Sequence, residues 1–339
     1  MKRAVLVCPG RGSYSRESLG MLQDLSSPAL ARLDKFRASH GAATPTDIDG
    51  AERFSSRKHI AGEHASLLTA ACTLADIDQI DSDAIQIVGA CGNSMGWYTT
   101  LAASGVLTLE EAAELIDTLG GYQAEELIGG QLVYPFYDEE WHIDPTLSAQ
   151  VSACVDGHPG LHWSILLGGQ AVLGGTEEGI AHAVEALPAL ESKGIKFPLR
   201  LPLHAAFHTP LMVGTAERAR ADLAHLNWRK PEWPIVDGHG HLWHPHHADP
   251  SAIRDYTLGP QITEMFDFTV MLRSLLGETG PDHIILPGPG SNLGGAIAQV
   301  LIELGWSQIH SRSQFLERQQ QDPVLLALSR PEQRARVTR

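Results

Sequence analysis

The sequence predicts an α/β fold, a mainly parallel sheet flanked by helices, interrupted by a small α+β insertion. Short apolar runs at residues 4–8, 84–90 and 283–286 each lead through a glycine-rich turn, at 9–14, 92–96 and 287–292, toward a helical pattern. Strand, turn and helix in that order are what buried parallel strands and their crossovers impose. From Gly129-Gly130 to about Leu201 the texture changes to short apolar alternations, Val133-Tyr134-Pro135-Phe136 and Trp163-Ser164-Ile165-Leu166, around one helical segment at 177–187. That change marks the insertion.

Taken in order, Ala4-Val5-Leu6-Val7-Cys8 reads as a buried parallel strand, and Pro9-Gly10-Arg11-Gly12-Ser13-Tyr14 as the loop leaving its carboxyl end, where ligands bind such sheets. The loop is not a P-loop, because the lysine and the helix-opening Ser or Thr of that motif are missing. Helical periodicity follows from 17 to about 37 and from 64 to 76. Next comes the strand at 84–90, the turn Gly92-Asn93-Ser94-Met95-Gly96, and a helix over 97–103. A G-x-S-x-G in that setting is a nucleophile-elbow pattern, in which glycines on both sides allow a strained backbone and the hydroxyl projects from the sheet edge. The competing reading is a glycine-rich turn whose serine is only a helix cap. Thr108-Leu109-Glu110-Glu111 has capping-box spacing at the head of a helix over 108–124. After the insertion, His208 stands just before a helix over 212–226, and the strand at 283–286 and a helix from Leu293 close the pattern.

Composition narrows the function. Hydrophobic residues make up 43% and charged residues 19% of the 339, which suits a globular enzyme rather than a disordered chain. A net charge of −15 argues against nucleic-acid or anionic-membrane binding. Cys8, Cys72, Cys91 and Cys154 show no C-x-x-C spacing, so neither a zinc site nor a disulfide framework is expected, and the cytoplasm is the default compartment.

Four separated motifs fall in a known order. Pro9-Gly10-Arg11-Gly12-Ser13-Tyr14, Gly92-Asn93-Ser94-Met95-Gly96-Trp97-Tyr98, Ala206-Phe207-His208-Thr209-Pro210-Leu211-Met212 and Gly288-Pro289-Gly290 together resemble the malonyl-CoA:acyl carrier protein transacylase family, over about residues 4 to 310. The resemblance implies an α/β-hydrolase-like domain, 1–126 and 202–312, with a ferredoxin-like subdomain at 127–201 and a tail at 313–339. It implies Ser94 as nucleophile and His208 as general base, with the main-chain N–H groups of Arg11 and Met95 holding the oxyanion. Asp267 is the expected histidine-orienting residue, through its carbonyl or its carboxylate. Acyl-CoA would be the donor, and the 4'-phosphopantetheine thiol of an acyl carrier protein the acceptor. No bound cofactor or metal is implied. An acyl-thioester hydrolase on the same scaffold and a non-catalytic carrier-binding subunit are the alternatives.

The chain also departs from the family. Malonyl-selective members carry an arginine where this chain has Leu119, and a carboxylate buried against leucine needs another partner. Leu119, with Asn93 and Phe207, is therefore expected to set acyl selectivity, toward an uncharged group. Arg11 is the compensating cation if it turns inward rather than to solvent. The His-rich stretch at 239–247 looks like a metal strand of a barrel of roughly 250 residues, too long for what remains, and is expected as a surface loop. The tail, with Arg330, Arg334, Arg336 and Arg339, is expected to fray.

Overall fold

Apolar runs too short for helices become the strands of two main sheets. The computed structural model describes residues 1–338 apart from Asp24 and Lys193. In chain order the strands are β1 (Lys2–Cys8), β2 (Ile85–Gly92), β3 (Gly130–Pro135), β4 (Leu161–Leu167), β5 (Gln170–Gly175), β6 (Leu190–Ser192), β7 (Ile195–Phe197), β8 (Leu199–Leu201), β9 (Ile235–Val236), β10 (Leu242–Trp243), β11 (Phe266–Asp267), β12 (His283–Leu286) and β13 (Leu325–Ala327).

The larger sheet has the order β10-β9-β2-β1-β12-β13 and is parallel except for β10. Its central strand is covered on both faces, which is why it reads as an unbroken apolar run. Alternate residues serve different cores. Ala4 and Leu6 join one core, with Leu68 of the helix Gly62–Asp78 and Leu115 of the helix Leu109–Glu125. Val5 and Val7 join a second, with Leu272 of the helix Phe268–Thr279 and Ile297 of the helix Leu293–Leu304. The predicted capping box forms: Thr108 Oγ1 accepts from the Glu111 N–H at 3.2 Å, and Glu111 returns a carboxylate oxygen to the Thr108 N–H at 2.8 Å. Because β1, β2 and β12 run parallel, the glycine-rich loops after them leave the same edge of the sheet.

The second sheet has the order β11-β4-β5-β3-β8 and is antiparallel except where β11 joins β4. The helices Pro145–Asp156 and Glu177–Ala186 cover it through a core that includes Leu132, Tyr134, Val151 and Ile180. Four of its strands lie within 127–201, but β11 comes from much later and runs directly into a helix on the larger sheet. Ile165 and Val172 of the smaller sheet accordingly pack into the second core of the larger one.

Two expectations need correction. The chain after 313 does not fray: β13 pairs with β12 as an edge strand, Val324 to Leu328 are buried, and Arg334 forms an ion pair with the buried Asp76. The five-residue apolar run is hidden in the sequence by its Gln- and Arg-rich flanks. Arg339 lies outside the described residues. The helix expected over 17–37 begins only at Pro28, where Ser27 caps it by accepting from the Leu30 N–H. Proline tolerates the first helical turn and not its interior, so the boundary falls there.

Candidate active site

Ser94 sits at the carboxyl end of β2, immediately before the helix Gly96–Ala103, with φ at +52°. Left-handed backbone at a non-glycine residue costs on the order of 1–2 kcal/mol, and the two flanking glycines show why the turn cannot relax. A Cβ on Gly92 would lie 2.1 Å from the Gly96 carbonyl oxygen, and a Cβ on Gly96 would lie 2.2 Å from the Cys8 carbonyl oxygen. The neighbours are backbone and cannot swing away. Gln261 fixes the elbow from the other side, its side-chain amide donating to the Ser94 carbonyl at 3.0 Å.

His208 is also held at positive φ, +62°. Its N–H donates to the Ile262 carbonyl at 2.8 Å, and Thr209 Oγ1 donates to the Ala206 carbonyl at 2.6 Å, which pins the loop. The ring packs against Phe266 and places Nε2 2.8 Å from Ser94 Oγ. For the hydroxyl to donate there, the ring proton must be on Nδ1. Nδ1 has no partner of full hydrogen-bond geometry, and the Gln261 main-chain carbonyl is the group that acts to raise the ring's basicity. Burial outweighs it and lowers the pKa to about 4. The imidazole is therefore neutral at pH 7 and able to accept the serine proton.

The Arg11 and Met95 N–H groups are without a protein acceptor among the described residues, although their neighbours Asn93, Gly96 and Ser13 all donate to carbonyls. Two open donors beside a serine at a helix start are what a developing oxyanion requires.

These residues face a cleft of about 510 Å³, open to solvent, whose walls include Ser94, His208, Leu119, Phe207, Arg11 and Gln123. Leu119 and its neighbour one turn earlier, Ile116, give the wall an apolar stretch. Arg11 turns inward: its guanidinium donates to Gln123 Oε1 and to the Ile60 carbonyl. Phe207 shapes the wall, and its carbonyl accepts from Ser164 Oγ and from Gln131. Asn93 is not where acyl selectivity was expected. It lies outside the cleft wall, packed against Gly10, because its main chain closes the elbow by accepting from the Gly96 N–H.

Asp267 also departs from its expected place. Its carboxylate caps the helix Phe268–Thr279, accepting from the Val270 N–H at 2.8 Å, and makes no hydrogen bond to His208 among the described residues. An Asp that opens a helix is drawn to that helix's free N–H groups. Gln261 stands where Asp267 was expected, with its carbonyl toward the ring and its amide on the elbow. No motif signals it. Gln123 was legible in principle, four residues beyond Leu119 and so on the same helix face. In the His-rich stretch, Asp237 accepts from the N–H groups of His239 and His241 and from Trp243 Nε1, which folds it into the β9–β10 hairpin. Among the described residues no group of three or more His, Cys, Asp or Glu is arranged to hold a metal ion.

No protein-family model matches the chain. The malonyl CoA-acyl carrier protein transacylase of Salmonella typhimurium is 25% identical over 316 residues, 91% of this chain and 96% of that one. The chain is a divergent relative of the malonyl-CoA:acyl carrier protein transacylases. Its fold matches the acyl-carrier-protein S-malonyltransferase of Burkholderia pseudomallei, with a TM-score of 0.73 at 20% identity over 99% of both chains. A type II PKS acyl-carrier protein in complex with its malonyl-transacylase gives the same TM-score, 0.73, at 16% identity, over 99% of this chain and 98% of that one. No described helix is long and apolar enough to cross a membrane.

Proposed function

We propose that the chain is an acyltransferase that moves an acyl group from acyl-CoA to the phosphopantetheine thiol of an acyl carrier protein through an acyl-serine intermediate. The observation that carries this reading is the 2.8 Å approach of His208 Nε2 to Ser94 Oγ, with no carboxylate hydrogen-bonded to Nδ1 among the described residues. Ser94 Oγ attacks the thioester carbonyl while its proton passes to His208 Nε2. The carbonyl electrons move onto oxygen, where the Arg11 and Met95 N–H groups receive them at about 3 kcal/mol per donor. Collapse breaks the C–S bond, and the CoA thiolate leaves with the proton from His208. The carrier thiol then gives its proton to the same nitrogen and attacks the ester, and Ser94 leaves as the hydroxyl. Relatives named as transacylases and the carrier complex of one such fold support the assignment of donor and acceptor.

Intact-mass spectrometry after mixing with malonyl-CoA, acetyl-CoA and a longer acyl-CoA tests it. The expected result is a covalent adduct of one acyl group that is absent from Ser94→Ala. An adduct that persists in Ser94→Ala overturns the role of Ser94.

A further inference from the structure

A glutamine stands in β3 where the alternation of the strand turns a side chain toward the reactive cleft. Leu132 and Tyr134 enter the core under the two helices that cover the smaller sheet, so Gln131 and Val133 face the other way. Val133 packs against the second core of the larger sheet, whereas Gln131, only 4% exposed, lines the cleft.

The Gln131 amide can sit only one way round. Its nitrogen lies 2.8 Å from Ser164 Oγ and 3.3 Å from the Phe207 carbonyl, and Ser164 Oγ itself donates to that carbonyl at 2.9 Å. A carbonyl accepts only, and a hydroxyl whose proton is already given can only accept as well, so the amide presents its NH2 group to both. Oε1 is left on the other side of the amide, with no donor among the described residues. The hydroxyls of Ser66 and Tyr98, on the wall of the same cleft, likewise make no hydrogen bond to protein among the described residues. Water can serve an acceptor of this kind in the open cleft. An acyl group that brings only methylenes displaces the water and returns no bond, whereas one with a donor at that point restores it.

Position and charge limit the donor. Phe207, whose carbonyl holds the amide, precedes His208, and His208 Nε2 is 2.8 Å from Ser94 Oγ, so Gln131 is anchored beside the reacting atoms. A donor on the first carbons of the acyl group stands nearer the thioester carbon than the first N–H of the pantetheine arm does. The Arg11 guanidinium on the same wall disfavours an ammonium by like charge, which leaves a hydroxyl.

We propose that Gln131 Oε1 accepts a hydrogen bond from a hydroxyl on the acyl group, so that the preferred donors are thioesters of short hydroxy acids. This rests on the acyl-transfer reading and names the substrate class of that site. Leu119 and Ile116 remain its apolar wall.

The test uses unreactive Ser94→Ala protein titrated calorimetrically with two pairs of thioesters, lactoyl-CoA against propionyl-CoA and 3-hydroxybutyryl-CoA against butyryl-CoA. Gln131→Met and Ser164→Ala are each added to that background. In at least one pair the hydroxylated member is expected to bind about tenfold more tightly, the upper range for a neutral hydrogen bond. Gln131→Met should abolish the advantage, and Ser164→Ala, which loosens the amide without removing Oε1, should keep part of it. Equal binding within both pairs overturns the proposal, as does an advantage that survives Gln131→Met. So does an equal loss for all four thioesters in Gln131→Met, which would assign Oε1 to an N–H of the shared pantetheine arm. Failure of the acyl-transfer reading is seen separately, as absence of any wild-type adduct while the binding preference remains.

Discussion

Two parts of the cleft wall are built by opposite means. Around Ser94 the backbone does the positioning: Ser94 and His208 both sit at positive φ, the open donors are main-chain N–H groups, and in the proposed mechanism the carbonyl of Gln261 takes the place of an acid. Elsewhere on the cleft wall, side chains set the character, with Leu119 and Phe207 apolar and Arg11, held by Gln123, charged. Backbone donors survive a change of side chain, so under the proposed mechanism Arg11 and Met95 can stand in the loops without disturbing the chemistry. Side-chain walls change with every substitution. Reaction type and substrate choice are therefore separable here.

The largest expected effect breaks the reacting end. His208→Ala should slow acylation of Ser94 about 10³-fold, the range of a positioned general base. A time course of adduct mass measures it, and a loss under about tenfold would contradict the base role. The elbow itself is tested by Gly96→Ala, whose new Cβ meets the Cys8 carbonyl. Urea unfolding should show a loss of about 3 kcal/mol, at the upper end for overpacking, and an unchanged midpoint would mean that the turn is not strained.

The third prediction concerns pH. Burial depresses the His208 pKa from its ordinary 6.5 to about 4. Protonation thus favours the unfolded chain: stability is full above 6.5 and declines as pH falls from there toward 4. The acylation rate should stay level from pH 7 to about 5 and fall near 4. A fall centred at the free imidazole's 6.5 would show that the ring is solvated. The smallest effect sharpens the contrast between Asp267 and Gln261. Asp267→Ala should cost about 1 kcal/mol through the lost cap, with the acylation rate within about threefold of wild type. A drop in rate of about 10²-fold would return Asp267 to the role of orienting His208.

How much was legible follows the same division. The strands at 4–8 and 84–90 and the serine turn could be read because each is a short-range pattern: β-branched runs, glycines at fixed offsets, a capping box. Ser94 and His208 lie 114 residues apart in sequence, and only the family resemblance joined them before the 2.8 Å contact was seen. The direction of the Arg11 side chain depends on Ile60 and Gln123, which no local pattern links to it. Gln261 was illegible for a related reason, since the group it turns toward His208 is a main-chain carbonyl, which any residue has, and its amide meets a main-chain carbonyl far away in sequence. β13 was missed because two polar stretches dilute its apolar run, and its partner strand lies some forty residues earlier.

The measurement that tests the central claim most directly is a chase of the isolated acyl-enzyme with holo acyl carrier protein, set against buffer alone and against His208→Ala. The account predicts that the acyl mass leaves Ser94 and appears on the carrier far faster than it is lost to buffer, and that His208→Ala slows the transfer. Loss to buffer at the same rate, with no acyl mass on the carrier, would contradict it.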